Sequence, residues 1–332
     1  MSAPTNRSRA IDERTFHAWL RAHLPAGSEG SLPLGDDTAA LRPPPGRVAL
    51  LTTDALVEGT HFLSGSPPGR IGAAAASVNL SDLAAKGAVP VGLLLALIVP
   101  PGTPARWAAA VVAGAERTME RYGGRVIGGD TKPGPVRTVV GSAIGWGDPA
   151  HLAPRTDARP GDVVAVTGTV GRGGVAAEGL RTAGPTDRRA LVRMLDVRPR
   201  VREGRALARW AHAMLDTSDG LAEAARLLAD ASHVRIVIDE DRIPWAPGLA
   251  RLASDRARRR RLGFFGGDYE LLATFDPGAF GRAAGSVARG EGALTAIGRV
   301  ARGTGAWLRS RSRESPMPPA GWRPFGRRVR SS

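Results

Sequence analysis

The chain has 332 residues, no cysteine and a formal net charge of +15, with 42% apolar and 23% charged residues. That length suffices for two domains with cores of their own, and the lack of cysteine excludes disulfides, thiolate metal sites, iron–sulfur clusters and cysteine nucleophiles. The longest apolar run, VGLLLALIVP, is too short to cross a bilayer, so a buried strand is expected and no membrane contact.

The first residues, MSAPTNRSRA, lack an apolar signal core, which fits a cytoplasmic protein. Ile11–Leu24 reads as an amphipathic helix with Phe16, Trp19, Leu20 and Leu24 on one side. Leu32–Leu41 is a predicted loop that holds Asp36 and Asp37. Val48–Thr53 is a predicted strand closed by Asp54. An alanine-rich helix over Arg70–Lys86 stops near Gly87, and the strand Val91–Val99 follows. Pro104–Tyr122 reads as a helix, with proline early and Gly123-Gly124 at its end. Arg125–Ile127 and Thr138–Trp146 are predicted strands. Pro149, Pro154 and Pro160 place a boundary in Asp148–Gly161, giving domains 1–148 and 149–332. The second half opens with the strand Val163–Thr167, a glycine-rich turn and a helix over Gly174–Thr182. Helices are predicted over Arg200–Ala213 and Ser218–Ala231, and strands over Val234–Ile238, Glu270–Phe275, Ala293–Val300 and Ala306–Arg309. Strands and helices mix in both halves, which indicates an α/β (mixed α+β) class.

The positive charge is almost all arginine, since lysine occurs only at Lys86 and Lys132. The densest patches, Arg256 with Arg258–Arg261 and Arg327, Arg328 and Arg330, have no interleaved aromatics for base stacking, so no specific nucleic acid is expected. The first patch reads as a solvated helix end.

Against this basic background, aspartates gather beside Gly, Ser and Thr at the ends of apolar runs. A hard divalent cation takes oxygen ligands, and small neighbours let a phosphate approach. Each motif also has a plainer reading. Asp36-Asp37 suits a surface turn, Thr52-Thr53-Asp54 a strand terminus, and GGDT at Gly128–Thr131 a turn. Asn79 and Asp82, three apart on one helix face, suit a buried polar contact. In DTSDGL, Ser218 or Asp219 would N-cap the next helix, whose start also suits an anion. TGTVGRGGVAAEGL, from Thr167, lacks the Gly-Lys-Ser/Thr ending of a P-loop, and Ala176 interrupts G-x-G-x-x-G. His61 by itself reads as a packing histidine.

Taken in order, LGDDTAAL, LLTTDALVEGTHF, ASVNLSDLAAKGAVP, IGGDT, LAPRTDARPGDVVAVTGTVG, RPRVREG, DTSDGL and GGDYELL resemble the thiamine-monophosphate kinases. These belong to the aminoimidazole-ribotide synthetase-like ATP-using enzymes, and the resemblance spans nearly the whole chain. It implies two α/β domains, the first binding ATP and Mg²⁺ and the second completing the site. It also implies a homodimer in which two N-terminal sheets close a barrel. The implied reaction is direct, in-line transfer of a phosphoryl group from ATP to thiamine monophosphate, assisted by several Mg²⁺ ions.

By the same resemblance, Asp37, Thr52, Thr53, Asp54, Asp82, Asp130, Asp216 and Asp219 match Mg²⁺-binding positions. Gly129, Asp130, Arg155 and Ser218 match ATP-binding positions. Asp54, Asp130 and Asp219 are the expected catalytic residues. His61 matches a substrate-binding position, and Trp322 the place of an aromatic that packs on substrate. Gly267 departs from the pattern, because GGEDYEL is usual where this chain has FGGDYEL and the replaced Glu contacts substrate. Either Asp268 or a water takes its place, or substrate binding is weakened. The alternatives are a superfamily enzyme with another phosphoryl acceptor and a non-catalytic nucleotide-binding protein.

Overall fold

The computed structural model describes residues 13–24, 38–253, 255–290 and 292–321. Helix α1 (Glu13–His23) buries Phe16 and is followed by the strand β1 (Val48–Val57). Helix α2 (Pro68–Ala84), strand β2 (Val89–Val99), helix α3 (Ala105–Arg121) and strands β3 (Arg125–Pro133) and β4 (Thr138–Gly147) come next. These strands form a four-stranded sheet in the order β1-β4-β2-β3, in which β3 runs parallel to β2 and the other pairs are antiparallel.

Strand alternation gives this sheet two unlike faces. Leu93, Leu95, Leu97, Val126, Val139 and Ala143 are buried on the side covered by α2 and α3. The two helices cross at backbone contact, because a Cβ on Gly72 would lie 1.8 Å from the Val111 carbonyl oxygen and one on Gly114 2.0 Å from that of Gly69. The opposite face keeps Leu51, Leu94 and Val89 exposed, Leu51 at 72%.

Two expectations change here. Strand β1 continues to Val57, so Thr52-Thr53-Asp54 lies inside a strand rather than at its end. GGDT is also strand and not turn, because β3 runs on to Pro133 beyond a register shift at Leu93/Leu94. The parallel ladder outweighs the turn tendency of two glycines. Gly129 permits it, since a Cβ there would meet the Leu95 carbonyl oxygen at 2.0 Å.

The later chain forms a seven-stranded sheet with β5 (Val163–Thr167), β6 (Ala211–Asp216), β7 (Arg235–Asp239), β8 (Leu271–Phe275), β9 (Leu294–Ala301), β10 (Gly305–Ser310) and β11 (Arg313–Pro316). The strand order is β11-β10-β7-β9-β5-β8-β6. Helix α4 (Arg172–Ala183) follows the glycine-rich turn, and α5 (Arg188–Met194) and α6 (Val201–Leu207) precede β6. Helix α7 (Leu221–Ser232) sets Leu221, Ala225 and Leu228 into a core with Val164, Val166, Leu215, Ile236, Ile238 and Leu272. The helices α8 (Leu249–Leu252), α9 (Arg256–Gly263) and α10 (Pro277–Ala288) complete the elements. The helix expected over Arg200–Ala213 ends at Leu207, and Ala211–Ala213 belong to β6. An alanine-rich apolar run fits either state, and pairing with β8 decides it.

The chain separates into two compact units, one of residues up to Leu152 with Leu180–Val201, the other of Ala153–Gly179 with Arg202 onward. Among the described residues no helix is long and apolar enough to cross a membrane. The arginines of α9 are more than a solvated helix end. Arg260 forks onto both carboxylate oxygens of buried Glu240 at 2.8 and 2.7 Å, and Arg258 reaches buried Glu178 at 2.8 Å. The Arg260 hydrogen bond, working against burial, holds the Glu240 carboxyl below its usual range.

Candidate active site

In the first unit, Asp54 of β1 faces Gly141 of β4, which faces Leu95 of β2, which faces Gly129 of β3. One transverse row therefore crosses the sheet from edge to edge. Thr52 donates from Oγ1 to Asp82 Oδ2 on α2 at 2.5 Å, and Asp54 shares its side of β1. Thr53 points to the opposite side, donating to the Gly141 carbonyl oxygen at 3.0 Å, and its hydroxyl lies 2.9 Å from Ser142 Oγ.

One helical turn before Asp82, Asn79 is fully buried. Its Nδ2 donates to the Ala75 carbonyl oxygen at 2.9 Å, while its Oδ1 has no hydrogen-bond partner among the described residues. A Cβ on Gly141 would stand 2.5 Å from that Nδ2, so the missing side chain makes room for the amide.

Asp130 sits on the other edge strand, accepting from the Thr131 amide at 2.8 Å and pairing with Lys132 at 3.0 Å. Three interstrand spacings separate β1 from β3, about 14 Å. Thr52, Asp54 and Asp82 thus gather at one edge, and Asp130 and Gly129 stand at the other. His61 lies in the turn after β1, where Nδ1 accepts from the Val57 amide at 3.0 Å. Burial pushes its pKa down, so the ring is neutral and presents Nε2–H as a donor.

In the second unit, β6 ends at Asp216 and the turn to α7 carries the other acids. Ser218 donates from Oγ to Asp216 Oδ1 at 2.9 Å. Thr217 is pinned to Glu270 by two backbone-directed bonds of 2.8 and 3.1 Å. Neither Ser218 nor Asp219 caps α7. Gly220 takes that place at φ +95°, with no side-chain cap. A Cβ there would meet the Phe264 carbonyl oxygen at 2.6 Å, so the loop of Phe264–Gly267 lies directly on this turn. Gly267 donates its amide to the Ser218 carbonyl oxygen at 2.6 Å. Burial first, and Glu223 next, raise the pKa of Asp219, while the nearby Arg155 guanidinium pulls it down. Asp219 and Arg155 are therefore within electrostatic reach of each other.

The glycine-rich turn already holds an anion of the protein's own. Asp268, 2% exposed, accepts from the Gly171 amide at 2.8 Å and the Gly173 amide at 3.0 Å. It is committed there and does not stand in for a carboxylate at Gly267. Glu270, fully buried, accepts from Thr167 Oγ1 at 2.7 Å. Gly267 itself has φ +76°, with the nearest heavy atom to an added Cβ at 3.5 Å. A glutamate would find space there at the cost of a left-handed backbone. The neighbouring Phe265 is exposed.

Asp36, Asp37, Trp322 and the last arginines lie outside the described residues. Among the described residues, no three His, Asp or Glu side chains form a ready metal cage. The donors at the β1–α2 edge are nonetheless all oxygens, which is the ligand class of Mg²⁺, an ion that keeps several waters and uses one or two carboxylates. The structural duties of Asp268, Glu270 and Glu240 were not anticipated. Only Glu270 carried a local signal, an acid between Tyr269 and Leu271 in GGDYELL.

The chain matches the N-terminal domain of AIR synthase related proteins over residues 35–146 and their C-terminal domain over residues 159–306. It is 37% identical to a thiamine-monophosphate kinase of Synechococcus elongatus over 274 residues, 76% of this chain and 82% of the relative. A crystal structure of thiamine-monophosphate kinase from Stenotrophomonas maltophilia superposes with a TM-score of 0.77 at 30% identity, covering 91% of this chain and 98% of that one. A complex of AaThiL with AMPPCP and TMP superposes with a TM-score of 0.74 at 29% identity, covering 88% and 91%. The chain belongs to the AIR synthase related family and, within it, to the thiamine-monophosphate kinases.

Proposed function

We propose that this chain transfers the γ-phosphoryl group of ATP to the phosphate of thiamine monophosphate, giving thiamine diphosphate and ADP. The observation that carries this reading is a pair of oxygen-rich clusters, Thr52–Asp54–Asp82 and Asp216–Ser218–Asp219 with Arg155, in a chain whose relatives carry that name. The acceptor is a phosphate oxygen with a second pKa near ~6, already ionised at neutral pH, so the site needs no strong general base. The task is to hold two polyanions in line. Mg²⁺ bound by Asp54, Asp82, Asp130, Asp216 and Asp219, with Asp37, Thr52 and Thr53, would neutralise and bridge the phosphates. Gly129 and Ser218 approach the nucleotide closely, Arg155 offers a guanidinium to its phosphates, and His61 offers Nε2–H to the acceptor. Residues 1–148 and 149–332 each supply one cluster. A cytoplasmic location fits an enzyme that consumes ATP.

The exposed apolar face supports a homodimer. Leu51, Leu94 and Val89 stand on the side of the N-terminal sheet away from the helices, which a second sheet would cover. A closed barrel also joins the edges β1 and β3 of two copies. Of the two-fold closures, the one that sets β3 beside the partner's β1 would bring Asp130 to the Asp54 edge of the other copy. Leu51→Arg is expected to convert a dimer to a monomer in light scattering and to lower activity at least tenfold. A dimer that persists with full activity would remove this face from the interface.

Incubation with ATP, Mg²⁺ and thiamine monophosphate, with thiamine as control, should yield equal amounts of thiamine diphosphate and ADP. Gly267 favours a second reading, a different phosphoryl acceptor. ATP turnover supported by another phosphate ester and not by thiamine monophosphate would select it.

A further inference from the structure

Asn79 is a polar side chain that nothing among the described residues completes. It is 0% exposed, its amide nitrogen donates to Ala75, and its Oδ1 has no partner among the described residues. A buried acceptor left unpaired is a net cost to the fold, and such groups in native structures usually answer to a water, an ion or a catalytic role. The surroundings are built around this amide. Gly141 lacks the Cβ that would press on Nδ2 at 2.5 Å, and Gly141 is the register partner of Asp54. Asp82, bonded to Thr52, lies one turn further along the same helix.

We infer that Asn79 Oδ1 accepts a hydrogen bond from a water in the coordination shell of a Mg²⁺ ion held at the Asp54–Asp82 edge. Asn79 is a positioning residue, not a direct ligand. Mg²⁺ dehydrates reluctantly and keeps waters when it binds protein carboxylates. Those waters are strong donors, and the acceptors they meet fix the ion's place. A neutral amide oxygen does this without adding charge to a buried position. The inference deepens the proposed function and rests on its metal assignment.

The test is a Mg²⁺ titration of the full chain, without nucleotide, followed by calorimetry and by thermal melting. Asn79→Leu removes the acceptor at similar volume, and Asn79→Ser retains a hydroxyl oxygen. The Leu variant should bind Mg²⁺ about 10–100-fold more weakly, with a metal-free Tm equal to or above that of the unaltered chain. The Ser variant should fall between the two. A purely structural role predicts the reverse, a lower metal-free Tm with Mg²⁺ affinity kept within twofold, and that result overturns the inference. If Asn79→Leu does not fold, Gly141→Ala displaces the amide from outside and should weaken Mg²⁺ in the same way. Unchanged Mg²⁺ affinity there would also overturn it, as would the absence of any Mg²⁺-dependent stabilisation of the unaltered chain. Failure of the inference is separable from failure of the proposed reaction. Thiamine diphosphate formed by the unaltered chain supports the reaction whatever Asn79 does.

Discussion

Asp219→Asn is expected to lower turnover by about 10²–10³-fold, the usual cost of deleting one electrostatic group aimed at a transition state, while the fold holds or gains stability. Burial, and then Glu223, raise the Asp219 carboxyl above its ordinary value, and Arg155 offsets only part of this. A carboxyl raised in the folded state binds its proton more tightly there than in the unfolded chain. Its contribution to stability therefore falls as pH rises from the ordinary value through the raised one. At neutral pH the ionised Asp219 is a cost to the metal-free fold, and a neutral amide of the same shape relieves it. Local repulsion of this kind fits the proposed cation site, since perturbed carboxyls gather at functional sites. The measurement is kcat at saturating ATP and Mg²⁺ beside the metal-free Tm of the same variant. A loss of activity with a parallel fall in Tm would make Asp219 a structural residue of the turn. Near-normal kcat would remove it from the reaction. Asp54→Asn is the companion experiment at the other cluster.

Much of this arrangement was legible in the residues. Helix α3 came within a residue or so at each end because proline and paired glycines mark its ends and its apolar period is clean. Strand β2 was plain from its apolar run, read as Val91–Val99 where the strand begins two residues earlier at Val89. Of strand β3 only Arg125–Ile127 was legible; its continuation was not, because local preference reads Gly128-Gly129 as a turn and only the β2 ladder reveals the strand. Ala211–Ala213 went to helix for a related reason, since an alanine-rich run becomes a strand only through its partner β8. At the site, residue types were readable and geometry was not. Spacing put Asn79 and Asp82 on one helix face, but no sequence pattern says that Thr52 closes onto Asp82. Nor could it show that Asp54 and Asp130 take opposite edges of one sheet. The glycine-rich turn after β5 was a weak phosphate signal by sequence. Its amides hold a carboxylate from about a hundred residues further along the chain.

That carboxylate gives the largest stability effect expected outside the proposed metal-binding positions. Asp268→Ala strands the buried amide of Gly171 and the part-buried amide of Gly173, and an unsatisfied buried donor costs about 1–3 kcal/mol. The penalty should depend on pH. Burial is the main cause that raises the Asp268 pKa, to about 6, with Glu270 adding to it and the two amide bonds opposing. Between its ordinary value and the raised one, the folded state holds a proton that the unfolded chain has released. Stability from this group is therefore fully present in acid and declines as pH rises toward 6. A shift of roughly two units corresponds to about 3 kcal/mol. Above that range the folded protein carries a buried charge that alanine does not. Deleting Asp268 thus costs most at and below about pH 4, and the deficit narrows toward neutral pH as relief of the buried charge offsets the lost hydrogen bonds. Urea unfolding of the unaltered chain and the variant at several pH values between 4 and 7.5 measures this, with the difference between the two cancelling the other titrating groups. A deficit that shrinks by more than about 1 kcal/mol across the range is the expected result. A pH-independent deficit would mean that Asp268 ionises normally, and that the glycine turn stabilises its charge as fully as water does.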